Sequence, residues 1–153
     1  MQHRQNKDGA ALTVLIAAAS YDADTTPAAW DIRDAQCVEI DLAVGVGGIT
    51  FTGTDKIEFE LTAADYDDDG VVGTFAAVVD GDVYLNGVEV DTDSAGLVKA
   101  LIVAHAAGAA YRLEYVGAKG ALKFKANFGG THGAATPIAA TGRLSHGRNT
   151  PAI

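Results

Sequence analysis

Ile57-Glu58-Phe59-Glu60-Leu61 alternates apolar and acidic side chains without a break, and Val38-Glu39-Ile40-Asp41-Leu42 and Leu122-Lys123-Phe124-Lys125-Ala126 repeat the pattern. Successive side chains of an extended strand point to opposite faces, so each stretch predicts a half-buried strand with one apolar and one charged face. Working outward, Leu12 to Ala18, Val71 to Val79, Val83 to Val90, Ala110 to Val116 and Pro137 to Leu144 are further strand candidates. Turn clusters separate them: Gly45-Val46-Gly47-Gly48, Asp80-Gly81-Asp82, Asn86-Gly87 and Gly129-Gly130. Short strands at this spacing suit a sandwich or a barrel, and the fold expected is all-β, a jelly-roll-like β-sandwich. One segment leaves two readings open. Ser94 to Ala107 is alanine-rich and reads either as one short helix near 94–107, capped by Ser94, or as a buried strand over Leu97 to Val103.

A chain of 153 residues fits one domain, and at this size folding buries roughly two thirds of the unfolded surface, enough for an unstapled core. The expected division is an extended N-terminal arm over 1–11, the sandwich over 12–144 and a C-terminal tail over 145–153. Cys37 is the single cysteine and cannot close an internal disulfide, so it is expected to pack as a small apolar side chain. The longest apolar run, Ala10 to Ala19, falls short of the roughly eighteen residues of a membrane span. The polar start, Met1 to Gly9, leads into it without a convincing cleavage site, so synthesis and assembly in a cytoplasm are expected.

The net charge of −9 hides an asymmetry. Residues 20–94 carry eighteen acids against Arg33 and Lys56, whereas residues 95–153 carry seven bases against Glu114. An acidic total argues against nucleic acid as a partner, because phosphate contacts need clustered Lys and Arg. Either acidic and basic strands pair within one sheet, or opposite-sign surfaces of neighbouring subunits meet.

Asp65-Tyr66-Asp67-Asp68-Asp69-Gly70 matches the first half of a calcium loop, with Asp65, Asp67 and Asp69 as the weak metal candidates. The match fails at position twelve, where Ala76 stands instead of a bidentate glutamate, so an acidic hairpin turn is expected and no metal or other cofactor. Gly45 to Gly48 lacks the helix and the Lys-Ser or Lys-Thr pair of a phosphate loop. His3, His105, His132 and His146 sit in no catalytic or zinc-site pattern, so no catalytic residue is assigned and no enzyme activity is expected. Trp30 is read either as a cap on the sandwich core or, with Tyr21, Tyr66 and Tyr84, as a platform for stacking sugars. Tyr111 and Tyr115 lie on one side of a strand.

Four stretches taken together resemble a group of small proteins from tailed-phage and prophage structural gene clusters. They are Trp30 to Asp34, Asp55 to Leu61 running into Asp67 to Gly70, Tyr111 to Lys119, and the tail Leu144 to Pro151. The likeness covers nearly the whole chain after about Ala11, and in such proteins the aspartate-glycine cluster is a turn after a long strand. The chain departs from the pattern where Gly147 and Asn149 replace a more usual Pro and His. The resemblance implies a virion structural role: a capsid decoration or cement protein on the outer face of an icosahedral head, bridging capsomers. Its implied partners are the major capsid protein and itself, as a homotrimer, with no membrane. Arg4, Lys7, Arg143, His146, Arg148 and Pro151 are the expected capsid or subunit contacts. The alternatives are a head-to-tail joining or tail protein, or a β-sandwich module that binds glycans.

Overall fold

The computed structural model describes residues 12–33, 35–103 and 107–145, and among these every regular element is a strand. In order they are β1 (Thr13–Tyr21), β2 (Trp30–Asp31), β3 (Cys37–Val44), β4 (Lys56–Ala64), β5 (Ala76–Ala77), β6 (Val83–Leu85), β7 (Val88–Glu89), β8 (Leu97–Leu101), β9 (Ala109–Tyr115), β10 (Ala121–Gly129) and β11 (Thr136–Ser145). The three alternating stretches form the centre: β3, β4 and β10 bury every second side chain.

Two antiparallel sheets result. One is six-stranded in the order β1-β11-β3-β9-β6-β7; in the other β2-β10-β4 continues with β5 and β8 sharing the far edge of β4. Setting aside β5, β6 and β7, which lie between β4 and β8, leaves eight strands that pair first with last, second with seventh, third with sixth and fourth with fifth. The remaining ladders are β11·β3 and β10·β4. A long hairpin rolled across two sheets has this connectivity, and it is the jelly roll expected from the sequence.

The core lies between the inward rows. Ile40 and Leu42 of β3 and Leu113 of β9 face Ile57, Phe59 and Leu61 of β4 and Leu122 and Phe124 of β10. Phe59 and Phe124, diagonal neighbours on adjacent strands of one sheet, stack at 5.9 Å. Trp30 is only 8% exposed and lies on Gly142, where a Cβ would come within 2.4 Å of its ring. The small residue lets β2 close over β11, so Trp30 caps the core and takes no part in a sugar platform.

Among the described residues of 94–107 a strand forms instead of the helix: Leu97–Leu101 pairs with β4 from Ile57↔Leu101 to Glu60↔Leu97. The edge of β4 offers unpaired backbone groups and an apolar neighbour, and that outweighs the helix preference of alanine. The expected strand over Val71 to Val79 shrinks to β5, preceded by an isolated bridge, Tyr66↔Val72. Val83 to Val90 is a hairpin folded at Asn86 (φ 50°) and Gly87 (φ 81°), the left-handed pair that an Asn-Gly turn supplies.

Candidate functional site

The connections gather at two ends. At one, Gly45 N–H donates to Pro137 O at 2.8 Å and Thr131 N–H to the Asp55 carboxylate at 2.8 Å, joining 45–55 to 131–137. At the other, Ile32 N–H reaches Gly120 O at 2.9 Å, Gly120 N–H reaches Ala64 O at 3.1 Å and Val116 N–H reaches Asp82 O at 2.9 Å. The long insert 65–96 and the two outer ends of the domain, Leu12 before β1 and Ser145 paired with Cys37, share this second end.

The insert concentrates charge. It contains nine acids and no Lys or Arg, so it carries −9, and the rest of the chain, with eleven acids against eleven bases, sums to zero. The acidic turn is held by its own backbone. The Asp67 carboxylate accepts from Asp69 N–H at 3.0 Å and Val71 N–H at 2.7 Å, and Gly70 takes φ 77°. Asp65 pairs with Lys119 at 2.5 Å. Asp65 and Asp67 are thus separately engaged, and no group of three or more His, Cys, Asp or Glu side chains among the described residues is placed to hold a metal ion. Asp80 accepts from Thr92 N–H and Oγ1, both at 2.8 Å, and Asp93 accepts from Ala95 and Leu97 N–H. These backbone donors hold both carboxyls below the usual carboxylate range, Thr92 N–H acting most on Asp80 and Leu97 N–H most on Asp93. Asp68, Asp69, Asp82, Glu89 and Asp91 make no ion pair among the described residues.

Outside the insert several charges pair within the domain, in line with the first of the two charge readings. Arg112 meets Asp41 at 2.9 Å across β9·β3, and Lys125 meets Asp24 at 2.9 Å. Arg143 donates to Glu39 across β11·β3. Of the six expected contact residues only Arg143 is placed, and it is bound to Glu39 instead of standing free; Arg4, Lys7, His146, Arg148 and Pro151 lie outside the described residues.

Cys37 and His132, the one thiol and the one described imidazole, lie at opposite ends. Cys37 starts β3 beside Ser145, and burial, then Glu114 and Glu39, push its thiol up. His132 Nε2 faces two carbonyls, Gly129 O at 2.9 Å and Lys56 O at 3.1 Å, so it donates, and its ring packs edge-on against Phe128. It pins a loop. His3, His105 and His146 lie outside the described residues.

The outward face of the six-stranded sheet carries a depression of about 420 Å³. Register builds it. Ala139, Ala43 and Ala110 stand side by side on β11, β3 and β9, and the next outward row is Thr141, Asp41 and Arg112. Three adjacent alanines leave the floor low, and the polar row forms a wall. Asn86 joins that wall by exchanging bonds with Arg112: its N–H reaches Arg112 O at 2.8 Å and its Oδ1 accepts Arg112 N–H at 2.9 Å. No residue in this group was a site candidate in the sequence, because they come from four segments and meet only through strand register.

Fold and surface together define an eight-strand jelly roll with an acidic insert. No protein family, curated protein or solved structure matches the chain.

Proposed function

We propose that the chain is a non-enzymatic structural protein of a tailed-phage virion, a decoration or cement protein that sits on the outer face of an icosahedral head and bridges capsomers. One observation carries the reading: both outer ends of the domain and the insert that carries −9 share one end of a compact sandwich whose other charges nearly balance. An acidic surface flanked by two polar arms is suited to attachment at several weak points, and such multipoint contact gains strength by avidity. The jelly roll supports the reading by analogy, since viral capsid domains use it, although lectins do too. Three copies would meet at threefold and quasi-threefold positions, with Arg4, Lys7, His146, Arg148 and Pro151 on the shell or on the neighbouring copy. The partners are then the major capsid protein and the chain itself.

Localisation and copy number in purified particles test this directly. Density on the outer face of the head, at a copy number near that of the shell protein, is the expected result; density confined to neck or tail would overturn it. On undecorated shells, a chain lacking residues 1–9 is expected to bind less while unfolding at the same temperature. Unchanged occupancy would remove the arm from the attachment.

A further inference from the structure

We propose that the depression on the outward face of the six-stranded sheet is a binding site for a neutral polyhydroxylated ligand, a mono- or disaccharide. The site does not depend on the virion reading, since purified protein either binds such a ligand there or does not.

Its size comes first. About 420 Å³ lies within the roughly 300–1,000 Å³ of small-molecule clefts and suits one or two sugar rings. The chemistry follows from the register. Ala139, Ala43 and Ala110 give a flat apolar floor across three strands, which suits the C–H face of a sugar ring. Along one wall, among the described residues, Arg112 bonds Asp41 through Nε alone, leaving its two terminal nitrogens as donors, and Asp41 binds it through Oδ1, leaving Oδ2 as an acceptor. Asn86 spends its Oδ1 on the Arg112 backbone, so its side-chain amide nitrogen is a further donor. The Thr141 hydroxyl, next to Asp41 on β11, can do both. Vicinal hydroxyls match such a set, because each both donates and accepts.

Charge selects against other ligands. Asp41 stands in the wall and Glu39 and Glu114 stand one outward row away, so an anion reaching Arg112 meets carboxylates. These three raise the Arg112 guanidinium further above its ordinary value, Asp41 most. A cation reaching Asp41 meets Arg112, and Arg143 sits beside Glu39. Paired opposite charges leave a neutral ligand as the one that neither side repels. Asn86 is held at φ 50° by its turn, so the wall is built before any ligand arrives.

The experiment is a titration of isotope-labelled protein followed by its backbone amide resonances. The probes are glucose, galactose, mannose, N-acetylglucosamine and lactose, with acetate and tetramethylammonium as charged controls. At least one sugar is expected to give saturable shifts at residues 41–43, 86, 110–112 and 139–141, with millimolar affinity and little salt dependence. Ala43→Leu, an exposed change that fills the floor, is expected to weaken binding at least about tenfold, equivalent to about 1.4 kcal/mol, with the rest of the spectrum unchanged. Should that variant fail to fold, the double variant Asp41→Asn with Thr141→Val, which leaves the core untouched, carries the same expectation. Saturable shifts with none of the five sugars, shifts centred elsewhere, stronger binding of either charged control, or binding that survives a folded variant would each overturn the site.

Discussion

Single carboxylates set part of the stability of the insert. Asp93 holds the turn into β8 by accepting from Ala95 N–H at 2.9 Å and Leu97 N–H at 3.0 Å, and its pKa is lowered chiefly by Leu97 N–H. Asp24 is lowered in the same way, first by Phe128 N–H, and Asp31 first by the Arg33 side chain. A carboxyl whose pKa is depressed on folding favours the folded state fully above its unfolded pKa, near pH 4, and that contribution fades as pH falls through the folded value. Urea midpoints are therefore expected to drop as pH is taken from 7 to about 2. In Asp93→Asn, which keeps the acceptor oxygen but cannot ionise, the drop is expected to be shallower. Equal slopes for the two proteins would contradict the assignment of this titration to Asp93. The aspartate run was visible in the sequence as acidic turn material; which members bind backbone and which stay free was not, because that depends on donors as distant as Thr92 for Asp80.

At the scale of elements, the edges of the sheets are where sequence and structure part. β3, β4 and β10 were legible because each is paired on both sides and packed on one face, so alternation is imposed along the whole strand. β2 and β5, two residues each, lie at edges and carry no pattern long enough to read. β8 is apolar nearly all round, and only the vacant edge of β4 made it a strand. The β6–β7 hairpin is specified locally. Replacing Gly87 (φ 81°) by alanine places a Cβ in the left-handed region at a cost of about 1–2 kcal/mol. Hydrogen exchange is expected to speed up over residues 83–89 while β3, β4 and β10 keep their protection, since the hairpin lies at the far edge of its sheet. Unaltered exchange over 83–89 would mean that the turn is not what holds the hairpin.

For the whole molecule, the distribution of charge matters more than its total. Ion pairs, two of them cross-strand, leave the sandwich nearly balanced in charge, and the insert keeps nine acids with no base of its own. Changing Asp68, Asp69, Glu89 and Asp91 to their amides is expected to alter folding stability by less than about 0.5 kcal/mol per site, because these side chains are exposed and make no ion pair among the described residues. Under the proposed virion role, the same variant is expected to bind undecorated shells more weakly and with less dependence on salt, as loss of a screened attraction requires. Unchanged affinity and salt dependence would move the attachment off the insert.

The sequence by itself determined that the chain is all-β, where its long central strands lie, and that its acids outnumber its bases in the first two thirds. Those properties follow from local pattern: a period of two, turn residues at fixed offsets, and composition. Tertiary structure alone decided the rest. It chose strand over helix at Leu97–Leu101, turned Trp30 inward onto Gly142, paired Arg143 with Glu39, and brought three alanines from three strands into one floor. Each depends on which strands become neighbours and in what register, and that is fixed by burying two apolar faces against each other across the whole chain, not by any stretch of it.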